Sequence, residues 1–527
     1  MKKKKKEEKS MKTKYLKKGI ALALVILLSF ACVACDKPSK KSASGELTYW
    51  MELNPGLSLK VSNFGETPLA KEIEKQTGVK VRYEHPAQGQ LSEAFNLLLA
   101  SGSLPDIMRY NFYSLDAEKM MDNGTILDLT PYLESGKMPN LRKLLDEHPE
   151  WDSMVKTDDG RYYCFPFIRE DKSLLMYQGP IVRKDWLDDL GIDVPETIEE
   201  WEAMLIAFKE KKGAEVPLAI YSFDLKSGAI AQAFGIYGME YVDDGEVKYA
   251  AMEDNYEDYL RLMNRWYKMG LIDVNLASVT NDENKEKIYN GKSGAIFGAV
   301  GGGIGSFLQT MKDKDPEFDV VAAPYPVLKK GDKPQYAVTD LEFNPAYSCV
   351  ISAKSEHIDE AIKLLDHAYS QEGKLTYNFG VEGVSYEMIE GEPKFTQHMI
   401  DILQGKNENE ISQFYSMGTY SGPFVQMKSL VDQTLTYPQQ LDAYETWYVP
   451  TAIDHKIPLV QYTDEEKEMR TNIRREITTL QDEKLINYII GRESIDTFEE
   501  YRKQLEEMGV KELLKIYNDA YQRYINR

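Results

Sequence analysis

Cysteine is scarce in this sequence, with only four copies among 527 residues. Cys32 and Cys35 lie in an apolar amino-terminal segment, which leaves Cys164 and Cys349 for the rest of the chain. Two cysteines are too few for the disulfide framework of a small secreted scaffold. They are compatible with one disulfide bond and equally with two buried free thiols, so both alternatives stay open.

Histidine is also scarce, and its six copies show none of the spacings of a metal site. A phosphate-binding loop ending at Gly291-Lys292-Ser293 would need glycine where Glu286 stands. We therefore predict no catalytic metal and no cofactor. Structural calcium is the alternative, because residues 243–246 and 281–284 supply oxygen ligands, although neither segment matches an EF-hand loop.

The apolar segment of residues 19–34 is too short to cross a membrane, because its 16 residues fall below the roughly 20 that a spanning helix needs. It follows a lysine-rich stretch, which is the pattern of a signal peptide. Residues 31–40 read Ala-Cys-Val-Ala-Cys-Asp-Lys-Pro-Ser-Lys, which resembles a lipoprotein signal peptidase site.

We therefore predict a lipoprotein signal peptide over residues 1–35, with acylation at Cys35, and a flexible linker over residues 36–45. Cys32 is the alternative acylated residue, and an ordinary secretory signal is the alternative to a lipoprotein. Acyl chains would hold the protein in the lipid bilayer. The folded part would then lie at the extracytoplasmic face of the cell membrane.

The net charge of the chain is strongly negative, at −21. Residues 1–34 carry ten lysines and two glutamates, a net +8, so the remainder carries −29. A negative field disfavours nucleic acid and polyanionic ligands on Coulomb grounds. We predict no nucleic-acid partner.

Strand and helix patterns alternate at the start of the mature chain. Strands are predicted at residues 46–51, 79–83 and 106–110, and helices between them at 68–77 and 90–100. This order predicts a parallel sheet with right-handed crossovers.

The pattern continues with more helices than strands. Thr197 and Glu200 form the signature of a capping box and predict a helix over 197–212. The other predicted helices are 183–191, 255–269, 282–290, 357–370, 464–488 and 497–508, with a tail helix to 527, and the other predicted strands are 173–177, 294–299, 318–322 and 346–352. No repeat of fixed period occurs, so a solenoid or propeller is disfavoured.

Five segments share their order and spacing with one family. They are Ala-Ser-Gly-Ser-Leu-Pro-Asp-Ile at 100–107, Arg-Lys-Asp-Trp-Leu at 183–187 leading to Val-Pro-Glu-Thr at 194–197, Lys-Met-Gly-Leu-Ile-Asp at 268–273, Ser-Ala-Lys-Ser-Glu-His at 352–357, and Tyr-Asn-Phe-Gly-Val-Glu-Gly-Val-Ser-Tyr at 377–386. Together they resemble the family-1 extracellular solute-binding proteins of carbohydrate ABC transporters, in particular the large LplA-like lipoproteins.

The resemblance implies a helix-rich α/β chain with a two-lobe, periplasmic-binding-protein-like (type II) fold and a ligand cleft between the lobes. On this basis lobe one comprises residues 46–168 plus 327–388, and lobe two comprises residues 169–326 plus 389–527. The lobes are expected to close on the ligand, and the closed form to dock on an ABC permease as a monomer.

Sugar recognition requires aromatic rings against the pyranose faces and planar polar groups for the hydroxyls. The candidates lie at predicted strand ends or on loops that the two-lobe topology turns toward the cleft. The aromatic candidates are Trp50, Tyr110, Tyr177, Tyr347, Tyr386 and Trp447. The polar candidates are Glu52, Asn63, Arg109, Asp224, Asn344, Asn378 and Glu382.

The predicted function is therefore that of a non-enzymatic receptor for a sugar or oligosaccharide. One alternative keeps the fold but binds a peptide, a polyamine or a lipid-derived compound. The other is a surface enzyme that processes glycans with a pair of carboxylates, although no local pattern singles out such a pair.

Overall fold

A computed structural model describes residues 46–407, 409–418 and 422–527 of the chain. The predicted signal peptide, the linker, Cys32 and Cys35 lie outside these residues. Within the described part, no helix combines the length and the apolar character that spanning a membrane requires.

Fourteen strands are present in the described residues. They are β1 Leu47–Trp50, β2 Val81–Glu84, β3 Ile107–Arg109, β4 Ile168–Arg169, β5 Gln178–Arg183, β6 Leu218–Ala219, β7 Glu240–Asp243, β8 Glu246–Tyr249, β9 Ala295–Ala299, β10 Val320–Ala322, β11 Cys349–Ile351, β12 Tyr386–Ile389, β13 Glu392–Phe395 and β14 Val425–Gln426.

The α-helices outnumber the strands in the same residues. They are α1 Pro55–Ser58, α2 Pro68–Thr77, α3 Leu91–Ser101, α4 Ala117–Asp122, α5 Thr130–Glu134, α6 Pro139–Glu147, α7 Pro149–Val155, α8 Lys184–Leu190, α9 Ile198–Lys211, α10 Ser222–Lys226, α11 Asn255–Lys268, α12 Asn281–Tyr289, α13 Ser306–Met311, α14 Ile358–His367, α15 Gln371–Phe379, α16 Gln397–Leu403, α17 Lys428–Thr434, α18 Pro438–Trp447, α19 Asp464–Ile490, α20 Phe498–Glu507 and α21 Val510–Ile525. The chain is helix-rich α/β, as predicted.

The first sheet has the strand order β11-β3-β1-β2. β1 runs parallel to both β2 and β3, which confirms the predicted pairing, and β11 joins β3 in the antiparallel direction. Helix α2 occupies the predicted residues: the Thr67 hydroxyl caps its start, and Gly78 ends it at φ 68°, where a residue without Cβ is favoured. Leu69 and Ile73 bury its apolar face.

The second sheet has the order β10-β5-β9-β6 and is mixed, since β5 is antiparallel to β9 and β10 whereas β6 is parallel to β9. The predicted capping box of α9 is confirmed. The Glu200 amide donates to the Thr197 hydroxyl at 3.1 Å, and the Thr197 amide donates to the Glu200 carboxylate at 3.1 Å. Trp201, Leu205 and Phe208 then bury one face of this helix.

The predicted strand at residues 173–177 is wrong. Residues Lys172–Leu175 form a 3₁₀ helix, and strand β5 begins only at Gln178. The Asp171 carboxylate accepts from the backbone amide of Ser173 at 2.8 Å and from its hydroxyl at 2.6 Å. Such side-chain to backbone bonds favour a turn over an extended chain.

The described residues pack into two large apolar cores and a small one. The first core draws on residues 47–168, 343–377 and 417–425, and the second on residues 176–337 and 443–517. The small core contains Phe379, Tyr386, Phe395, Met399, Ile402, Tyr415 and Leu430. The lobe boundaries given above stay a prediction.

Three short segments carry the chain between the two large cores, and they are hydrogen-bonded to one another. The Ile168 amide donates to the Phe424 carbonyl at 3.1 Å, and the Arg169 amide to the Glu342 carbonyl at 3.0 Å. β4 pairs with β14 in parallel, and Ile168 bridges Phe343. We call residues 166–170, 342–344 and 424–427 the crossing.

Arg527 makes a second connection between elements of the two cores. It follows helix α21, whose Leu513 and Tyr517 lie in the second core. Its buried guanidinium pairs with Asp158 at 2.5 Å and donates to the carbonyls of Ser153 and Lys156 at 3.2 and 3.0 Å. These three residues lie beside Val155 of the first core.

Cys164 and Cys349 are free thiols, so the structure selects this alternative over a disulfide bond. Both are buried in the first core, and the Cys349 sulfur lies 2.8 Å from the Tyr49 hydroxyl. Burial raises the pKa of each thiol to about 12. Neither thiol is therefore a reactive thiolate at neutral pH.

A substitution at Gly179 of β5 tests the packing of the second core. A Cβ added there would lie 2.5 Å from the indole of the buried Trp447. We expect Gly179→Ala to lower the free energy of unfolding by about 1–3 kcal/mol through overpacking, measured by urea denaturation. Gly301→Ala is the matched control, because nothing lies within 4 Å of its added Cβ, and equal stability of the two variants would contradict this packing.

Candidate functional site

The carboxyl ends of β1 and β3 lie side by side at one edge of the first sheet. Glu52 follows β1, and Arg109 ends β3, where its guanidinium donates to the Glu52 carbonyl at 2.9 Å. Arg109 is only 8% exposed. Ligands of open α/β sheets bind outside this edge, so the edge places two predicted residues where a ligand is expected.

Tyr347 approaches the same edge from the segment after the crossing. Its half-buried ring lies against Phe167 at 6.2 Å. Burial raises the pKa of Tyr347; Arg109 opposes the rise, whereas Glu52, Tyr177 and Asp340 add to it. Tyr347 packs against the first core and Tyr177 against the second, so this interaction joins residues of the two cores.

Arg169 lies in the crossing itself and is buried. Its guanidinium is 5.1 Å from the Tyr177 ring, 3.3 Å from the Asp340 carboxylate and 3.0 Å from the Leu174 carbonyl. Burial raises the pKa of Tyr444 to about 12; Arg169 opposes this rise and Tyr177 adds to it. Arg169, Asp340 and Tyr444 therefore belong to the same group.

These residues form what we call the crossing cluster: Glu52, Arg109, Arg169, Tyr177, Asp340, Tyr347 and Tyr444. Sequence analysis identified four of the seven and missed Arg169, Asp340 and Tyr444. The available signal for Arg169 was a charged residue directly after the apolar run that ends at Ile168. Asp340 and Tyr444 carry no comparable signal.

A large cavity of about 1130 Å³ is lined by other residues, some of which are close in sequence to members of this cluster. Residues 111 and 113–119, after β3, line one side together with Asp158 and Pro345; residues 457–464 and helix α19 line the other. Asn111 follows Tyr110 directly, and Pro345 precedes Tyr347 by two residues. The segment that follows β3 at the carboxyl edge of the first sheet therefore lines the cavity, although no residue of the crossing cluster does so.

Four predicted ligand residues are enclosed by protein. Trp50 packs on Phe95 at 5.7 Å in the first core, and Tyr386 packs on Phe379 at 5.9 Å in the small core. The Trp447 indole donates to the Ala323 carbonyl at 3.0 Å, and the Asn378 amide to the Val425 carbonyl at 2.8 Å. In this structure these side chains pack in the apolar cores or hydrogen-bond to backbone carbonyls, so they are engaged within the protein.

Other predicted residues occupy local turns and stacks. The Asn63 amide donates to the Tyr83 carbonyl at 2.9 Å, and the Asn344 side chain accepts from the Ala346 amide at 3.1 Å. Tyr110 stacks on Phe95 at 3.8 Å beside Arg109, whereas Glu382 is exposed in the turn before β12. The structure thus brings Glu52, Arg109, Tyr110, Tyr177 and Tyr347 toward one edge, and the ligand roles of all the candidates stay predictions.

Asp224 is buried near the start of α10, away from this edge. Its carboxylate accepts from the Tyr221 amide at 3.1 Å. Burial raises the pKa of Asp224 to about 8, and the bond from Tyr221 offsets only part of the rise.

Across the described ranges, no group of three or more His, Cys, Asp or Glu side chains could hold a metal ion. The two segments considered for calcium have other local roles. Glu283 forms a capping box with Thr280 at the start of α12, and Asp244 and Gly245 make the turn between β7 and β8. Structural calcium stays a prediction, because calcium also accepts backbone and amide oxygens as ligands.

Comparison with known proteins identifies relatives. The family model described as bacterial extracellular solute-binding protein matches residues 65–375. The fructooligosaccharide ABC transporter substrate-binding protein FusA of Streptococcus pneumoniae is 25% identical over 491 residues, covering 87% of each chain. Lipoprotein LipO of Bacillus subtilis is 26% identical, over 72% of this chain and 76% of its own.

A solved structure shares the fold along nearly the whole chain. It is described as a solute-binding protein from Bifidobacterium longum infantis associated with an ABC transporter that binds HMO, and it superposes with a TM-score of 0.73 at 20% identity. The alignment covers 91% of this chain and 99% of the other. The chain therefore has the two-lobe, type II periplasmic-binding-protein-like fold that was predicted.

The raised pKa of Asp224 predicts that the stability of the protein depends on pH. Its pKa lies above the ordinary value in the folded state, so the folded protein binds more protons between about pH 4 and 8, and the free energy of unfolding falls as the pH rises through that window. Asp224→Asn keeps an acceptor oxygen for Tyr221 but cannot ionise. We expect the variant to lose less stability from pH 5 to 8 than the parent does, by at most about 1.4 kcal/mol per pH unit.

Urea denaturation at a series of pH values measures this difference. Glu382→Gln removes an exposed carboxylate and should reproduce the parent's slope. Parallel slopes for Asp224→Asn and the parent would refute the assignment.

Proposed function

Because the chain belongs to the bacterial extracellular solute-binding protein family, we propose that it is a membrane-anchored receptor for a sugar or short oligosaccharide. The ligand would bind between the two cores and be delivered to an ABC permease. The chain would act as a monomer and without chemistry of its own. Peptides and other small solutes are the alternative ligands within the same fold.

The observation that carries this proposal is the composition of the crossing cluster. Tyr347 and Tyr177 pack against different cores, and each offers a half-buried ring beside an arginine. Aromatic rings pack on the C–H faces of a pyranose, and planar guanidinium and carboxylate groups bind its hydroxyls. Glu52, Arg109, Arg169 and Asp340 supply such groups at the same place.

The relatives support a carbohydrate as the ligand. FusA is named for fructooligosaccharides, and it matches most of both chains. The superposable protein of Bifidobacterium longum infantis is described as HMO-binding. Neither name fixes the sugar of this chain, so the proposal is limited to the carbohydrate class.

Closure of the two halves would distinguish the ligand-bound protein from the free protein when it docks on the permease. A ligand shifts a conformational equilibrium only by its difference in affinity for the two states. Residues from both sides of the crossing must therefore contact the sugar. The cluster supports this requirement because Tyr347 and Tyr177 come from different cores.

Paired tyrosine variants test the site. A thermal-shift screen over mono- and oligosaccharides first identifies a ligand, and titration calorimetry then measures its affinity. We expect Tyr177→Ala and Tyr347→Ala each to weaken binding at least tenfold, about 1.4 kcal/mol, because each removes a ring from one side. Tyr132→Ala is the control, because Tyr132 lies on helix α5 next to Lys137 and is not part of the crossing cluster.

Two results would count against the proposal. One is a screen in which no sugar stabilises the protein. The other is a pair of variants that bind the sugar as tightly as the parent. Release of reducing ends from a glycan would instead favour the enzyme alternative.

The membrane anchor is tested separately. Cells expressing the chain and fed a radioactive fatty acid should label the parent and Cys32→Ser but not Cys35→Ser, because Cys35 is the proposed acylation site. The reverse pattern would assign the lipid to Cys32. Labelling of neither the parent nor the variants would show an ordinary secretory signal.

A further inference from the structure

Five cations line the large cavity: Lys119, Lys467, Arg470, Arg474 and Arg523. Four of them lie within 4 Å of a carboxylate. Lys467 lies 2.5 Å from Asp116, Arg474 3.2 Å from Glu240, Arg523 2.5 Å from Glu466 and Lys119 3.7 Å from Asp464. The protein thus neutralises most of the positive charge in the cavity with its own side chains.

Arg470 differs from the other four cations. Within residues 46–407, 409–418 and 422–527, no carboxylate lies within 4 Å of its guanidinium. Its buried Nε has no hydrogen-bond partner among the same residues. A buried donor without a partner is costly, so this nitrogen is available to an acceptor from outside the chain.

Tyrosine rings surround Arg470. Its guanidinium lies 4.5 Å from the Tyr462 ring and 5.6 Å from the Tyr517 ring. Both tyrosines line the cavity, as does Tyr113, whose pKa is raised by burial and lowered in part by Arg470. The arginine is therefore held between apolar faces at the cavity wall.

The neighbours of Arg470 on helix α19 do not account for its positive charge. Lys467, Arg470 and Arg474 lie at positions i, i+3 and i+7 of α19 and share one face, where like charges repel. Glu466, one turn before Arg470, is already engaged by Arg523. A positive charge that repels its neighbours, and that has tyrosine rings but no carboxylate beside it, is suited to an anionic ligand.

We propose that Arg470 binds the carboxylate of an acidic sugar, so that the ligand of the large cavity is an oligosaccharide containing a uronic acid. A planar guanidinium binds a carboxylate through two parallel hydrogen bonds, and the neighbouring tyrosine rings suit the pyranose face. The cavity, at about 1130 Å³, exceeds the roughly 300–1,000 Å³ typical of small-molecule sites, so it accommodates more than one sugar ring. This inference rests on the proposed carbohydrate function.

The negative charge of the whole protein does not oppose this assignment. Surface charges are screened beyond about 8 Å at physiological ionic strength. Arg470, in contrast, would act in direct contact with the ligand. The expected ligand is therefore a short acidic oligosaccharide whose carboxylate is recognised by local contacts, and long-range attraction plays little part.

Uronate oligosaccharides and their methyl esters test the proposal, because esterification removes the charge and keeps the ring. The panel comprises trimers of galacturonate, mannuronate, guluronate and glucuronate, each with its ester, together with neutral trisaccharides. Calorimetry is expected to show at least one acid bound tenfold or more tightly than its ester. That preference should weaken as sodium chloride rises.

Variants on helix α19 identify the responsible residue. Arg470→Gln should abolish the preference for the acid over the ester, and Arg470→Lys should retain part of it. Arg475→Gln, an exposed arginine on the same helix, should bind like the parent. Thermal denaturation of each variant confirms that the fold is intact.

The outcomes separate the two proposals. Binding of neutral sugars with no acid preference, or an acid preference that survives in a folded Arg470→Gln, would overturn the role of Arg470 and leave the carbohydrate receptor standing. Binding of no sugar, acidic or neutral, would overturn both.

Discussion

The hydrogen bonds among the three crossing segments are the constraint on which the rest of the molecule depends. Ile168 and Arg169 bond to Phe424 and Glu342, so the crossing peptides satisfy one another without solvent, as buried backbone must. In the proposed closure, one core would rotate relative to the other around this unit. Arg169 belongs to this unit and is buried.

The polar groups follow from this arrangement. Arg109 and Glu52 come from the carboxyl ends of two parallel strands, which meet at an edge for topological reasons. Tyr177 and Tyr347 lie just beyond the crossing on either side, so they approach each other although they pack on different cores. The large cavity extends from the segment after β3 to helix α19, where the Nε of Arg470 has no hydrogen-bond partner among the described residues. The site thus combines polar side chains near the crossing with aromatic side chains from both cores.

Local signals in the sequence predicted the elements well and the site only in part. Thr67 and Gly78 delimit α2, and the Thr197–Glu200 box starts α9, because caps act over three or four residues. The strand predicted at 173–177 failed because the Asp171 side chain favours a turn, a competition that periodicity ignores. Trp50 and Trp447 were predicted to face the cleft from strand ends or loops and lie in cores, since the burial of one ring depends on distant partners such as Gly179. Arg470 was not identified, because its lack of a carboxylate partner becomes apparent only when Asp116, Glu240 and Glu466 are seen to be engaged elsewhere.

The central claim, that two separately packed halves close around a ligand at the crossing, is tested most directly by a distance between them. Leu59 beside the first core and Val274 beside the second are 84% and 69% exposed, and both accept a spin label as cysteine. The chain would carry serine at Cys32 and Cys35, and the buried thiols of Cys164 and Cys349 would not react. Double electron–electron resonance measures the distribution of distances between the two labels. When a saturating sugar is added, this distribution should become narrower and its mean distance should change. An unchanged distribution with the sugar demonstrably bound would contradict the account.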